Sequence, residues 1–334
     1  MLVAKKNYAR LVMFLFINYP SWIHPEIFPN IPILGLLRWY GLMYIFAFAT
    51  AFFVLKKQFQ NGDLDSETEK ANEDEVFNFL AFGIVFLLIG ARVFSTLVYD
   101  TTNLYREKPY LIFWPFDPVT HAFTGLAGMS YHGGVIGGFL GMIIWLFRHK
   151  KNMFQWMDAM ALAIPAGYTF GRIGNFLNGE LYGRITTAPW GMIFPNAEKF
   201  SASLEWVKNF AASIDLQISS ALVNLPRHPS QLYEAFFEGI VLFALLLLLR
   251  KCKKWHGMLS ASYAIGYGVF RFFLEYFREP DADLGFRFGD TTAPIYLNTS
   301  LANLSTGQVL CLLMIAFGIA VGIFSYVKNK NRSE

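Results

Sequence analysis

Apolar residues in this chain gather in long uninterrupted runs, with polar and charged residues confined mostly to the stretches between them. A helix that crosses a bilayer needs about 20 mostly apolar residues. Runs of that length lie at about 33–55, 77–99, 122–147, 154–176, 231–250, 257–278 and 306–327. The pattern predicts an all-α polytopic membrane protein with about seven transmembrane helices. No period of 20–50 residues recurs, so a repeat architecture is not expected.

Charge orients the runs. With the N-terminus outside, the inner connectors hold Lys56 and Lys57, then Arg148, Lys150 and Lys151, then Lys251, Lys253 and Lys254, then Lys328, Lys330 and Arg332. The outer connectors are poorer in basic residues, which predicts N-out, C-in. Lys5, Lys6 and Arg10 argue the other way. They precede a short apolar run, Leu11 to Ile17, without a small-x-small cleavage site, so residues 1–32 are expected to form an interfacial helical segment on the outer surface. Residues 33–327 form the transmembrane domain and 328–334 a cytoplasmic tail. The acidic stretch 62–75 reads as a solvated cytoplasmic loop with no role. Residues of about 180–230 form a small head on the outer side, with a short amphipathic helix in its middle. That head is too small to be an independent domain.

Composition agrees. Hydrophobic residues make up 54% of the 334 and charged residues 16%, against about 25% charged in soluble domains. The net charge of +4 does not point to nucleic acid, because the basic residues bunch at the ends of apolar runs. Cys252, in a basic connector, and Cys311, in an apolar run, make neither a disulfide framework nor a metal signature. The chain has no P-loop, dinucleotide fingerprint, HExxH or GxSxG.

Ionisable groups inside a bilayer are costly, so each is a functional candidate. At about 1.5 Å per residue, Arg172, Arg271 and Arg92 lie about 18, 14 and 15 residues from the inner ends of their spans. His132 and Tyr40 lie about 10 and 7 residues from outer ends. All five are expected at or above the midplane on the outer side; the alternative is a set of separate helix ties. Four segments concentrate polar groups. Gly171–Arg184 (GRIGNFLNGELYGR) combines arginines and asparagines with glycines that let backbones approach. Tyr131–Gly141 (YHGGVIGGFLG) carries glycines on adjacent helical faces, for packing or to make room for a lipid chain. Arg227–Glu238 (RHPSQLYEAFFE) sets Gln231, Tyr233, Glu234 and Glu238 at the outer end of span five. Arg271–Asp281 (RFFLEYFREPD) puts Arg271 and Glu275 four apart, able to pair on one helix face.

These four segments, in this order and with WYGLMY at 39–44, resemble the bacterial prolipoprotein diacylglyceryl transferases over about residues 33–327. The extended N-terminus and the acidic loop fall outside the resemblance. It implies an enzyme of the bacterial plasma membrane, its active site toward the outer, periplasmic leaflet. The enzyme moves the diacylglyceryl group of phosphatidylglycerol to the lipobox cysteine thiol of a prolipoprotein signal peptide, the first step of lipoprotein maturation. No cofactor or metal is implied, and no nucleophile from the chain itself. Arg172 and Arg271 would clamp the leaving phosphate. His132 would be the base or a head-group contact, and Glu180 and Glu275 would orient the arginines or take the thiol proton. Tyr40, Asn175, Asn178, Gly183, His228, Gln231 and Glu234 would join Arg172 in contacting phosphatidylglycerol. The rivals are another lipid-modifying transferase and a lipid transporter. The DGxxAR motif of one transferase class is absent, and transporters commonly show paired halves, which this chain lacks.

Overall fold

The structure, a computed structural model, describes residues 16–29, 31, 37–65, 70–101, 103–117, 120–121, 128–280 and 284–333. The helices are α1 (Trp39–Gln60), α2 (Glu73–Val98), the single turn α3 (Leu104–Glu107), α4 (Tyr131–Arg148), α5 (Met153–Leu177), α6 (Glu205–Ser213), α7 (Ser230–Arg250), α8 (Met258–Leu274) and α9 (Thr306–Ser333). Among the described residues α1, α2, α7 and the Thr306–Asn331 part of α9 are long and apolar enough to cross a membrane. The chain is thus mostly helical with four candidate spans. The other three expected runs also form helices, α4, α5 and α8, which do not meet the same measure of length and apolar content.

Several expected boundaries move. Helix α4 begins at Tyr131, not near 122, because Ser130 caps it by accepting from the Gly133 amide (3.3 Å); residues 122–127 lie outside the described set. His132 and Tyr40 are therefore each the second residue of a helix, nearer its end than the expected 10 and 7 residues. At the C-terminus, the expected tail continues α9 to Ser333.

The described residues fall into two compact units, Phe52–Met160 and the remainder. In the Phe52–Met160 unit, α2 packs along α4 through glycine. A Cβ on Gly137 would sit 2.9 Å from the Gly90 Cα, and one on Gly90 would sit 2.8 Å from the Gly137 Cα. Of the glycines of YHGGVIGGFLG, Gly133 and Gly137 serve close backbone contact with α2. Arg92 is spent on structure as well. It is buried, donates to the Ile112 carbonyl (2.5 Å) and lies over the Tyr105 ring. The described ends of the acidic connector are packed and hydrogen-bonded rather than freely solvated. Leu64 is buried, Gln155 donates to the Asp63 and Asp65 carbonyls (2.8 and 2.7 Å), and Asn72 with Glu75 forms a capping box on α2. Residues 66–69 lie outside the described set.

In the larger unit, α8 and α9 pack closely through small residues, among them Gly268 against Ile315 and Gly318 against Ala264. The expected head carries α6, whose Val207 joins Ile185, Phe200, Val223 and Leu225 in a small core over the antiparallel pair β3 (Lys199–Ser201) and β4 (Leu222–Asn224). The interfacial helix expected over 1–32 is corrected where it can be seen: residues 16–29 are not helical. Instead β1 (Ile17–Asn18) pairs in parallel with β2 (Met192–Ile193). The Tyr19 hydroxyl then donates to the Phe176 and Leu177 carbonyls (2.9 and 3.0 Å), which satisfies the C-terminal end of α5. Burial pushes the Tyr19 phenol up to about 12. Residues 1–15 lie outside the described set.

Candidate active site

Helices α5, α7 and α8 bring most of the sequence-predicted residues of the larger unit into one connected polar network. Its centre is Glu234, buried at 1% exposure on the first turn of α7. One carboxylate oxygen, Oε2, lies 3.0 Å from the Arg172 Nε on α5 and 2.7 Å from the Arg271 Nη1 on α8. A shared carboxylate lets two guanidinium groups come together where they would otherwise repel.

From Arg172 the network runs to the C-terminal end of α5 and past it. Its Nη1 donates to the Asn175 Oδ1 (3.2 Å), and the Asn175 amide donates to the Glu180 Oε1 (3.1 Å), which the Asn178 amide also approaches (3.4 Å). From Arg271 it runs along α8. Nη2 pairs with the Glu275 Oε2 (3.1 Å), the pairing expected from their spacing, and the other Glu275 oxygen accepts from the Ser305 hydroxyl (3.0 Å) and faces Arg278 (3.8 Å).

The end of the signature segment is held by backbone. Gly179 takes a positive φ of 65°, as glycine can, and Leu181 follows at 55°, a conformation uncommon for a side chain of that size. This turn aims the Glu180 carbonyl at the Gln231 amide (2.6 Å) and the Leu181 carbonyl at the Ser230 hydroxyl (3.2 Å). Gly183 lies so close to His228 that a Cβ there would stand 2.8 Å from the His228 Cβ. Its amide donates to the His228 carbonyl (2.8 Å), so Gly183 contributes by closeness.

His228 contacts Tyr233, whose hydroxyl lies 3.2 Å from its Nδ1 and accepts from the Trp190 ring N–H (2.7 Å). Burial, aided by the Arg184 guanidinium, lowers the His228 imidazole to about 4. A neutral ring with Nδ1 accepting from Tyr233 fits this geometry. Its chain neighbour Arg227, fully buried, pairs with Glu279 and lies over the Tyr182 ring. Burial raises the Glu279 carboxyl.

Tyr40 stands on α1 with its ring facing Gly174 of α5, its hydroxyl 3.0 Å from that of Tyr44. His132 belongs to the Phe52–Met160 unit, where it is exposed and its Nδ1 lies 3.3 Å from the Tyr99 hydroxyl.

Three residues of the network escape sequence reasoning: Ser305, beyond the last motif, and the pair Glu238 and Tyr168. Glu238 was visible at the outer end of span five but not as part of a site; it is fully buried, and its Oε1 lies 3.7 Å from the Arg271 Nη1. Tyr168, four residues before Arg172 on α5, accepts from the Arg172 Nε (2.6 Å) and donates to Glu238. The signal for both was spacing by four from a charged residue, which a tyrosine in an apolar run does not advertise. Among the described residues no group of three or more metal-ligating side chains occurs.

The arrangement is suited to a phosphate ester. Among the described residues the Arg172 Nη2 has no hydrogen-bond partner, while the other nitrogens of that guanidinium are held. Nε and Nη1 of its planar guanidinium are thus held in place, which leaves Nη2 to donate to a phosphate oxygen.

Comparison with known proteins agrees with the motifs. The family model for prolipoprotein diacylglyceryl transferase matches residues 29–324. The chain is similar to the phosphatidylglycerol–prolipoprotein diacylglyceryl transferase of Treponema pallidum (52% identity, covering 93% of this chain and 95% of the relative). It is also similar to proteins of the same name from Treponema denticola (50% identity, 96% and 98%) and Chlorobaculum tepidum (42% identity, 94% and 94%).

Proposed function

Since the chain belongs to the prolipoprotein diacylglyceryl transferase family and is a transferase, we propose that it moves the diacylglyceryl group of phosphatidylglycerol to the lipobox cysteine of prolipoproteins. In that reaction the peptide thiolate attacks a glyceryl carbon, a C–S bond forms, the C–O bond to phosphate breaks, and glycerol phosphate leaves. The thiol proton passes to a base. A free thiol has a pKa near 8.5, so both a base and a positive field help. The leaving phosphate gathers charge, and donors placed where it develops lower the barrier.

The observation that carries this reading is the pair Arg172 and Arg271 joined through Glu234, with the Arg172 Nη2 unpartnered. Arg172 and Arg271 form the phosphate clamp. Glu234 and Glu275 hold the two guanidinium groups, and Asn175, Asn178 and Glu180 extend the polar surface toward the glycerol head group. Tyr40, His228 and Gln231 complete the lipid contacts, with Gly183 admitting the close backbone approach. For His132 the role of base rests on the family resemblance and on an imidazole's suitability near neutral pH.

The proposed topology has seven spans, N-out and C-in, in a bacterial inner membrane. The small head at about 180–230 then sits on the periplasmic side and the site faces the outer leaflet. The positive-inside pattern supports it.

The test is mass spectrometry of a synthetic lipobox peptide incubated with purified protein and phosphatidylglycerol. The cysteine should gain one diacylglyceryl unit, and Arg172→Lys should lose most of the activity while still folding, because an ammonium cannot reproduce the held fork. A folded wild-type protein that leaves the peptide unmodified, or an Arg172→Lys enzyme with near-normal turnover, would sink the reading or the clamp respectively.

A further inference from the structure

Arg172 and Arg271 are tied together by two routes, and only one passes through Glu234. The second runs from the Arg172 Nε to the Tyr168 hydroxyl (2.6 Å), from that hydroxyl to the Glu238 carboxylate, and from the Glu238 Oε1 to the Arg271 Nη1 (3.7 Å). We infer that Tyr168 and Glu238 are a positioning pair that fixes the Arg172 guanidinium so that its Nη2 edge meets the substrate phosphate; the inference rests on the clamp reading above.

Local structure supports it. Glu238 lies within a π-helical stretch, Ala235–Val241, in the middle of the otherwise α-helical α7. Such turns are rare and concentrate at functional sites. In the same turn Gly239 lies directly against Thr169 of α5, with a Cβ there falling 3.1 Å from the Thr169 Cβ. A larger residue would push the two helices apart next to the Glu238–Tyr168 contact. The Tyr168 ring is itself held edge-on against Tyr267 of α8 (5.8 Å between centroids, 90°), so the hydroxyl has a fixed place. Glu238 is fully buried and its Oε1 makes no hydrogen bond. Burying an incompletely satisfied carboxylate is costly, which fits a group kept for what it holds in place.

Without the Tyr168 hydroxyl, Arg172 retains Glu234 and Asn175 but loses its shortest contact. The guanidinium then gains freedom about its long axis. Misplacement of a catalytic group by about 1 Å can cost about 100-fold in rate, and the loss should fall on kcat, since binding of the lipid's remaining parts is untouched.

The experiment is steady-state transfer from phosphatidylglycerol to a lipobox peptide by purified Tyr168→Phe, Glu238→Gln, the double variant and, in parallel, Arg172→Lys. Tyr168→Phe keeps the ring contact with Tyr267, and thermal unfolding verifies that it folds. We expect kcat to fall about 10- to 100-fold in Tyr168→Phe, with KM for phosphatidylglycerol changed less than about twofold. Glu238→Gln should move the same way, and the double variant should fall no further than the weaker single, because the two act as one unit. A kcat within about twofold of wild type in Tyr168→Phe, a loss expressed in KM, or multiplicative losses in the double variant would each overturn the inference. If Arg172→Lys is inactive while Tyr168→Phe is normal, the clamp stands and the positioning pair falls. If Arg172→Lys is active, both fall.

Discussion

His228 shows how far chemistry at one residue departs from its sequence. The family resemblance makes His228 a contact of phosphatidylglycerol, and burial, aided by Arg184, holds its imidazole neutral, lowered to about 4. In the unfolded chain an imidazole titrates near 6.5. The folded protein therefore binds fewer protons between these values. The stability this site contributes is whole above about 6.5 and drains away as pH falls toward 4. The slope is at most about 1.4 kcal/mol per pH unit, and less for the part of the ring that meets solvent. Thermal melts of purified protein from pH 7.5 to 4.5 should fall more steeply for wild type than for His228→Gln; parallel curves would contradict the lowered value. The Arg271–Glu275 pair was legible from spacing, and Arg172, Asn175 and Glu234 from their density in two motifs. Tyr168 and Glu238 were not, because the contact that gives them meaning joins two helices whose facing sides no single run of sequence reveals.

At the scale of elements the apolar runs predicted every long helix, and their ends were the uncertain part. Hydropathy cannot see Ser130 capping α4, so the start of that helix was placed about nine residues early. The glycines of α4 read equally as packing or as room for lipid, and only the partner decides: Gly90 on α2 supplies the complementary gap. Gly137→Ala should therefore force the two backbones apart and destabilise the protein by about 1–3 kcal/mol. A drop in the unfolding midpoint in detergent would be the readout, with Gly41→Ala, where a Cβ meets nothing within 4 Å, as a control that changes little. Unchanged melting of Gly137→Ala would mean that α2 and α4 are not tightly packed there.

For the whole molecule, the proposed orientation can be read with the protein's own thiols. Cys252 is exposed in the basic connector after α7, and Cys311 is buried. With the C-terminus inside, a membrane-impermeant maleimide should label Cys252 in inverted vesicles and leave it unlabelled in intact spheroplasts; the opposite pattern would reverse the topology. The least legible part of the molecule was its beginning. Residues outside the family resemblance carried no motif, yet Ile17 and Asn18 pair with Met192 and Ile193, and Tyr19 closes the end of the helix that bears Arg172. That pairing has a consequence in time. Ribosomes deliver about 5–20 residues per second, and the partners of Ile17 and Asn18 lie 175 positions further along (192 − 17). The first strand must wait roughly 10–35 s for its mate, while the helices between them are made. The Ile17–Asn18 strand is thus among the last elements to find its place, and the end of α5 is finished by Tyr19, synthesised long before it.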